Sequence, residues 1–431
     1  MIPSTPAARF RPDAAMSREE KRGRFRWALV LWMFVISAVA YLDRVNISIA
    51  GQFLQKDLGL SNTGLGFVFS AFVLGYALFQ APGGRLADRY GPRLVIALAT
   101  LWWSAFTTLS AFAGVLGLLI AVRFLLGVGE AVVYPAGNRL VSEWIPVRER
   151  GIANGIIFAG VGTGAGLAPP LITWVVLHYG WRWSFVVSAV IGLAVGSIWY
   201  WLARDRPEAH PRVGAHELAH IQDGIGSRKQ EQVLPWRAIL RSRSVLAVSA
   251  SYFTFGYSAY IFFTWFFIYL SKVRGLDLRS SSWYGMLPFL AMAACSPAGG
   301  WISDILTRTF GKRIGRCAIA SAGLGLAAIF VALGTQVADP RLASIVLAGG
   351  AGALYLSQSS FWSVTADLAG KSAGSVSGIM NMSNQIAGAI TASLTPWIAG
   401  RFGWNASFFV AAVLCAAGAV AWCAVNPEET L

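Results

Sequence analysis

Four ionisable residues stand in stretches that are otherwise apolar: Asp43, Arg44, Arg123 and Glu130. Burying one charge at the centre of a bilayer costs roughly 2.5–3.5 kcal/mol, so such residues mark a function by default. A guanidinium stays protonated and offers a forked donor set matched to a carboxylate, so Arg44 and Arg123 suit an anionic substrate. A carboxylate in a poorly hydrated cavity holds its proton more tightly, and a neighbouring arginine loosens it again. Asp43 and Glu130 are therefore the proton-coupling candidates. Arg123 and Glu130 are two helical turns apart and project from one face. Asp43 and Arg123 are expected at similar depth and able to pair. An internal ion pair that ties helices together would use the same residue types.

The elements that must position them follow from composition. Among 431 residues 56% are hydrophobic and 13% charged, against roughly 45–50% and about 25% in soluble chains. With 46 Gly and 18 Trp, this fits a membrane protein, where small residues let helices approach and indoles sit at the lipid interface. Twelve stretches are long enough to span: 27–46, 63–84, 94–112, 115–138, 151–176, 183–202, 244–271, 282–303, 314–335, 341–366, 375–399 and 406–425. The expected fold is all-α, twelve transmembrane helices in two six-helix bundles, at 27–202 and 244–425. A cytoplasmic tail 1–26, a central cytoplasmic loop 203–243 and a short tail 426–431 complete it.

The 35 Lys and Arg exceed the 20 Asp and Glu by 15. Placing the N-terminus inside puts 26 of the 35 in or beside inner segments and seven in outer loops, which sets both termini in the cytoplasm. Basic residues spread over loops form no nucleic-acid groove. The run from Arg18 to Arg26 leads into an apolar stretch without a small-residue cleavage site, so an uncleaved first helix is expected. Cys295, Cys317, Cys415 and Cys423 fall in apolar spans and read as packing residues.

Gly84-Arg85-Leu86-Ala87-Asp88-Arg89-Tyr90-Gly91-Pro92-Arg93 follows the second span, and Gly300-Trp301-Ile302-Ser303-Asp304 with Arg308 and Gly311-Lys312-Arg313 follows the eighth. The offset is half the chain and indicates a repeated six-helix unit. Asp88, Arg89 and Arg93 have the types of a breakable cytoplasmic latch, although topology signalling explains the arginines equally well. The Arg148-Glu149-Arg150 cluster could add to such a latch or be a solvated turn.

With this loop, its weaker copy and the twelve spans, the chain resembles the major facilitator superfamily over its whole length. Tyr41-Leu42-Asp43-Arg44-Val45-Asn46, and Arg123 followed by Glu130 and Tyr134-Pro135-Ala136, are similar to the anion:cation symporters, among them galactonate, glucarate and hexuronate carriers. The resemblance implies proton-coupled uptake of an organic anion such as a sugar acid by alternating access, in a bacterial inner membrane, by a monomer without cofactor whose partners are the anion, protons and lipid. It also implies substrate contacts from Tyr41, Tyr76, Ser359, Trp362 and Asn381, and a role for the Asp88 loop in closing the cytoplasmic side. Val161 and Phe361 depart from a glutamine and a threonine of galactonate carriers. Both changes remove hydrogen-bonding capacity and favour a less hydroxylated or aromatic carboxylate. An exporter or exchanger, or a carrier of aromatic or dicarboxylic acids, is the alternative reading.

Three patterns do not carry function. His216-Glu217-Leu218-Ala219-His220 has the spacing of a zinc-hydrolase helix but no third ligand at recognisable distance, so an amphipathic cytoplasmic helix is expected rather than an intramembrane enzyme. Gly370-Lys371-Ser372 lacks the first glycine of a phosphate loop, with Thr365 in its place. Gly160, Gly162, Gly164 and Gly166 before Pro169-Pro170 need only close helix crossing and a bend.

Overall fold

The computed structural model describes residues 24–60, 62–225, 233–429 and 431. The expected tail 1–26 lies almost wholly outside them, as do 226–232 of the expected central loop. Seven helices come first: α1 (Phe25–Leu58), α2 (Asn62–Tyr90), α3 (Pro92–Phe112), α4 (Leu116–Glu130), α5 (Val133–Trp144), α6 (Arg150–Tyr179) and α7 (Trp181–Leu202). The surface helix α8 (Ala215–Ile225) precedes α9 (Arg243–Thr264), α10 (Leu278–Gln336), α11 (Pro340–Ala369), α12 (Ala373–Phe402) and α13 (Trp404–Ala421).

Among the described residues ten stretches are long and apolar enough to cross a membrane, and two of them run 54 and 63 residues. At about 1.5 Å per residue those two far exceed a core of roughly 30 Å. Each turns back at a glycine with positive φ, Gly311 at 86° inside α10 and Gly370 at 46° between α11 and α12, a conformation that disfavours any side chain. Ten stretches thus make twelve crossings in two six-helix bundles. The fourth crossing is split into α4 and α5, because Pro135 offers no N–H to the carbonyl of residue 131 and its ring crowds that carbonyl. Glu130 ends α4 at this break.

Small residues set how closely the helices cross. On α6, a Cβ at Gly160 or Gly164 would run into the backbone of α1, and one at Gly162 into α10. The repeated loop shows the same device twice. A Cβ at Gly84 would strike the carbonyl of Gly374, and one at Gly300 the carbonyl of Gly151. Four residues on, Asp88 accepts hydrogen bonds from the backbone N–H of Gly374 and Ser375 at 2.9 and 2.7 Å. Asp304 does the same for Gly151 and Ile152 at 2.9 and 2.7 Å. Each aspartate therefore caps the first turn of a helix in the opposite bundle, where the unpaired N–H groups and the helix dipole favour an anion.

Further pairs join the bundles on the same face. Arg150 pairs with Asp367, Ser142 Oγ donates to the Gly370 carbonyl at 3.1 Å, and Arg316, held within the second bundle by Asp304 at 2.7 Å and lying 3.6 Å from Asp367, donates to the Val147 carbonyl of the first bundle at 2.5 Å. Both ends of the described chain lie here: Phe25 packs on Trp144 and His210, and Leu431 N–H bonds the Leu368 carbonyl at 3.0 Å. We call this the terminal face. Arg316 is fully buried, because two carboxylates and the Val147 carbonyl replace its water.

Candidate functional site

Residues 43 and 44 are about 100° apart on α1, so they face different neighbours. Arg44 points toward the interface between bundles and Asp43 into the first bundle. Arg44 Nε bonds Glu130 Oε2 at 2.8 Å. Its guanidinium lies over Tyr76, Tyr41 and Phe72, at 4.1, 4.8 and 5.4 Å from their ring centres, an attraction strengthened where water is excluded. Arg123 covers the same Phe72 ring at 4.8 Å, so both cations flank one aromatic ring.

Asp43 accepts a bond from Thr107 Oγ1 on α3 at 3.4 Å. The expected Asp43–Arg123 ion pair is not formed, since α1 turns Asp43 toward α3 rather than α4. Asp43, Arg123 and Glu130 are each almost wholly buried. Among the described residues Asp43 Oδ1, Arg44 Nη2, Arg123 Nε and Glu130 Oε1 are buried without a hydrogen-bond partner. A pair serving only to lock helices would have these atoms satisfied, because an unpaired buried polar group is expensive.

Beside this quartet lies a central cavity of about 30 Å³ lined from both bundles, with Tyr41, Tyr76 and Tyr134 on one side and Tyr252, Tyr260 and Tyr355 on the other. Tyr41 and Tyr76 stand between the cavity and Arg44. Asn381 is on the wall, and its Nδ2 donates to Gln80 Oε1 across the bundles at 2.9 Å. Trp362 donates to Tyr252 Oη at 3.1 Å and packs on Phe158 at 4.9 Å between ring centres. Ser359 is buried with its hydroxyl unpartnered.

Val161 is on the cavity wall. Phe361 is not; it packs against Tyr252, Phe255 and Trp422 in the second bundle. Only the valine removes a hydrogen bond from the cavity, so the expectation for Phe361 is corrected. Asp88 is in the cap described above, with Arg139 Nε at 3.8 Å. Arg89 is exposed, over the Tyr90 ring. Arg93 bonds the Tyr200 carbonyl at 3.0 Å, within its own bundle. Neither arginine touches the second bundle, because the loop turns them outward once Asp88 faces inward. Arg150, expected only as an addition, is a buried cation that crosses the interface.

Sequence reasoning passed over Gln80, Tyr252, Tyr260, Tyr355, Gln358, Asn384 and Gln385. A signal existed for some: Asn381, Asn384 and Gln385 repeat at three and four residues, a polar stripe on an apolar helix. In α8, Glu217 is fully buried and accepts from the N–H of Phe25 and Arg26 at 3.0 and 3.1 Å, and His220 contacts Glu149 at 2.9 Å. The helix caps the start of α1.

The family model of the Major Facilitator Superfamily matches residues 33–392 and again 310–430. A probable sulfoacetate transporter of Cupriavidus necator is 34% identical over 96% of this chain and 96% of that protein. A probable galactarate/D-glucarate transporter of Bacillus subtilis is 34% identical over 70% of each chain. The solved proton:xylose symporter XylE, bound to 6-bromo-6-deoxy-D-glucose, superposes with a TM-score of 0.71 over 92% of this chain and 94% of that one, at 15% identity, a likeness of fold. The chain belongs to the Major Facilitator Superfamily, a family of membrane transporters rather than enzymes, and its relatives place it among that superfamily's anion transporters.

Proposed function

We propose that this chain carries an organic anion into a bacterial cell across the inner membrane, driven by protons, with both termini in the cytoplasm. The observation that carries this reading is the Arg44–Glu130 pair, whose guanidinium Nη2 and carboxylate Oε1 are both buried without further partners. Glu130 takes the place at Arg44 that a substrate carboxylate or sulfonate would take. Two anions cannot share one buried guanidinium without a large desolvation and repulsion cost. A proton on Glu130 removes the competitor and frees Arg44 for the substrate. Asp43, with one oxygen unpartnered beside the same cluster, is the second proton carrier. Arg123 supplies the other cation.

Tyr41, Tyr76, Ser359, Trp362 and Asn381 orient the substrate between the bundles. Asp88 and Asp304, with Arg150 on Asp367, latch the terminal face while the opposite side loads. Breaking these caps lets the bundles rock and release proton and anion inward.

Glu130→Gln, which cannot titrate, separates the steps. In proteoliposomes it is expected to keep counterflow exchange of labelled anion and to lose accumulation against a gradient when a pH difference is imposed. A variant that still accumulates as the parent does would remove Glu130 from coupling.

A further inference from the structure

Asn46 closes the stretch of α1 that supplies Tyr41, Asp43 and Arg44, but it does not line the cavity. It stands three residues after Asp43, on the same face of α1, and is fully buried. Opposite it, α7 presents Ser184 and Ser188, four residues apart on one face and equally buried. Ser184 Oγ donates to Asn46 Oδ1 at 2.8 Å, and Asn46 Nδ2 donates to Ser188 Oγ at 3.2 Å. Ser188 Oγ is also a hydrogen-bond neighbour of the Asp43 carboxylate, whose Oδ1 has no close partner. A string of polar groups therefore runs from Ser184 through Asn46 and Ser188 to Asp43, and none of the four is on the cavity wall. Of the charged groups, Arg123 and Glu130 of α4 act on Asp43, while Arg44 is turned to Glu130. The helices α3, α6 and α7 carry theirs, Arg93, Arg150, His178 and Arg182, only at their ends.

A carboxylate that gains and loses a proton in a dry site has to be satisfied twice, once charged and once neutral, because each orphaned buried polar group is expensive. This string does both by hydroxyl rotation and a half-turn of one amide, whose two ends are nearly the same size. With Asp43 ionised, Ser184 O–H points to Asn46 Oδ1 and the amide N–H to Ser188. The Ser188 oxygen is then already an acceptor, so its own proton turns to the carboxylate. With Asp43 protonated, every bond reverses. The carboxylic O–H donates to Ser188, Ser188 donates to Asn46 Oδ1 once the amide has turned, and the amide N–H donates to Ser184. Ser184 then donates to its other acceptor, the Trp181 carbonyl, which lies at 2.7 Å. The one proton gained or lost is that of Asp43, and the string only reorients.

We propose that Ser184, Asn46 and Ser188 are positioning residues for proton coupling, a reversible hydrogen-bond string that keeps Asp43 satisfied in both of its protonation states from the side away from the anion's cavity. This rests on the reading of Asp43 as a proton carrier.

The test is an infrared pH-difference titration of the purified full chain in liposomes, with no anion substrate present. The carbonyl band of a protonated carboxyl group that the parent shows and Asp43→Asn lacks belongs to Asp43, and its intensity against pH gives a midpoint. Ser188→Ala removes both a donor to the carboxylate and the acceptor of the carboxylic proton. The charge-assisted bond is the stronger of the two, so the midpoint is expected to move at least about one pH unit toward alkaline pH. The band is expected at higher frequency, since the carboxylic O–H has lost its acceptor. Ser188→Cys, close in size and a weak donor, should move the midpoint the same way by less, and Ser188→Thr, which keeps the hydroxyl, should stay near the parent. An Asp43 band with the parent's midpoint and frequency in both Ser188→Ala and Ser188→Cys overturns the string. A parent without an Asp43 band at any pH overturns the string and the carrier role of Asp43 together. A chain that titrates as expected yet exchanges no anion supports the string and counts against the transport reading alone.

Discussion

At the scale of single residues, the account depends on geometry rather than charge alone. Arg44→Lys keeps the charge but loses the planar fork and its stacking on Tyr76 and Tyr41, so substrate affinity in counterflow is expected to fall about tenfold or more. Unchanged affinity would mean the substrate meets Arg44 only as a point charge. The four central charges were legible in the sequence because ionisable residues are so rare in spanning stretches. Their partners were not. Whether Asp43 meets Arg123 depends on the rotation of α1 about its axis, and the structure turns Asp43 to Thr107 and gives Glu130 to Arg44. Phe361 shows the same limit, since a position named by resemblance proved to face the second bundle's own core.

At the scale of elements, the glycines and aspartates of the repeated loop act at the crossing of helices from opposite bundles. Gly300→Val places a branched side chain against the Gly151 carbonyl, and overpacking of this kind costs about 1–3 kcal/mol. A lower melting temperature of the purified protein is the expected result, and an unaltered one would show that the bundles do not close this tightly. Asp88→Ala with Asp304→Ala removes two caps at about 1 kcal/mol each. A cysteine at Val161 should then react several-fold faster, on the order of tenfold, with an impermeant thiol reagent applied from the terminal face. The sequence displayed the loop and its copy, but not that each aspartate caps a helix of the other half, because that pairing joins residues nearly 300 positions apart in one case. The break in the fourth crossing was foreshadowed by Pro135 next to Glu130. The extension of α1 to Leu58, well past the expected end at 46, was not, because those outer turns are too polar to count as membrane span.

At the scale of the whole molecule, twelve crossings and the half-chain repeat were readable from hydrophobic length and one duplicated motif. The conformation was not, since it is set by which cross-bundle contacts are made. The polar ties between bundles gather at the terminal face, around Asp88, Asp304, Arg150 and Arg316, so the cavity is closed there. The excess of Lys and Arg in the inner segments predicts orientation. A cysteine in place of Lys56 should label with an impermeant maleimide on intact cells from which the outer membrane has been removed, and one in place of Arg89 only after lysis. The reverse pattern would invert the protein and the direction assigned to it.

The central claim is that Glu130 and the substrate compete for Arg44, with a proton deciding between them. Binding of a transported anion to the purified protein should therefore strengthen as pH falls, because protonation of Glu130 releases the guanidinium, and in Glu130→Gln it should be tight and lose most of that dependence on pH over the same range. A Glu130→Gln protein whose affinity keeps the parent's dependence on pH would contradict the account.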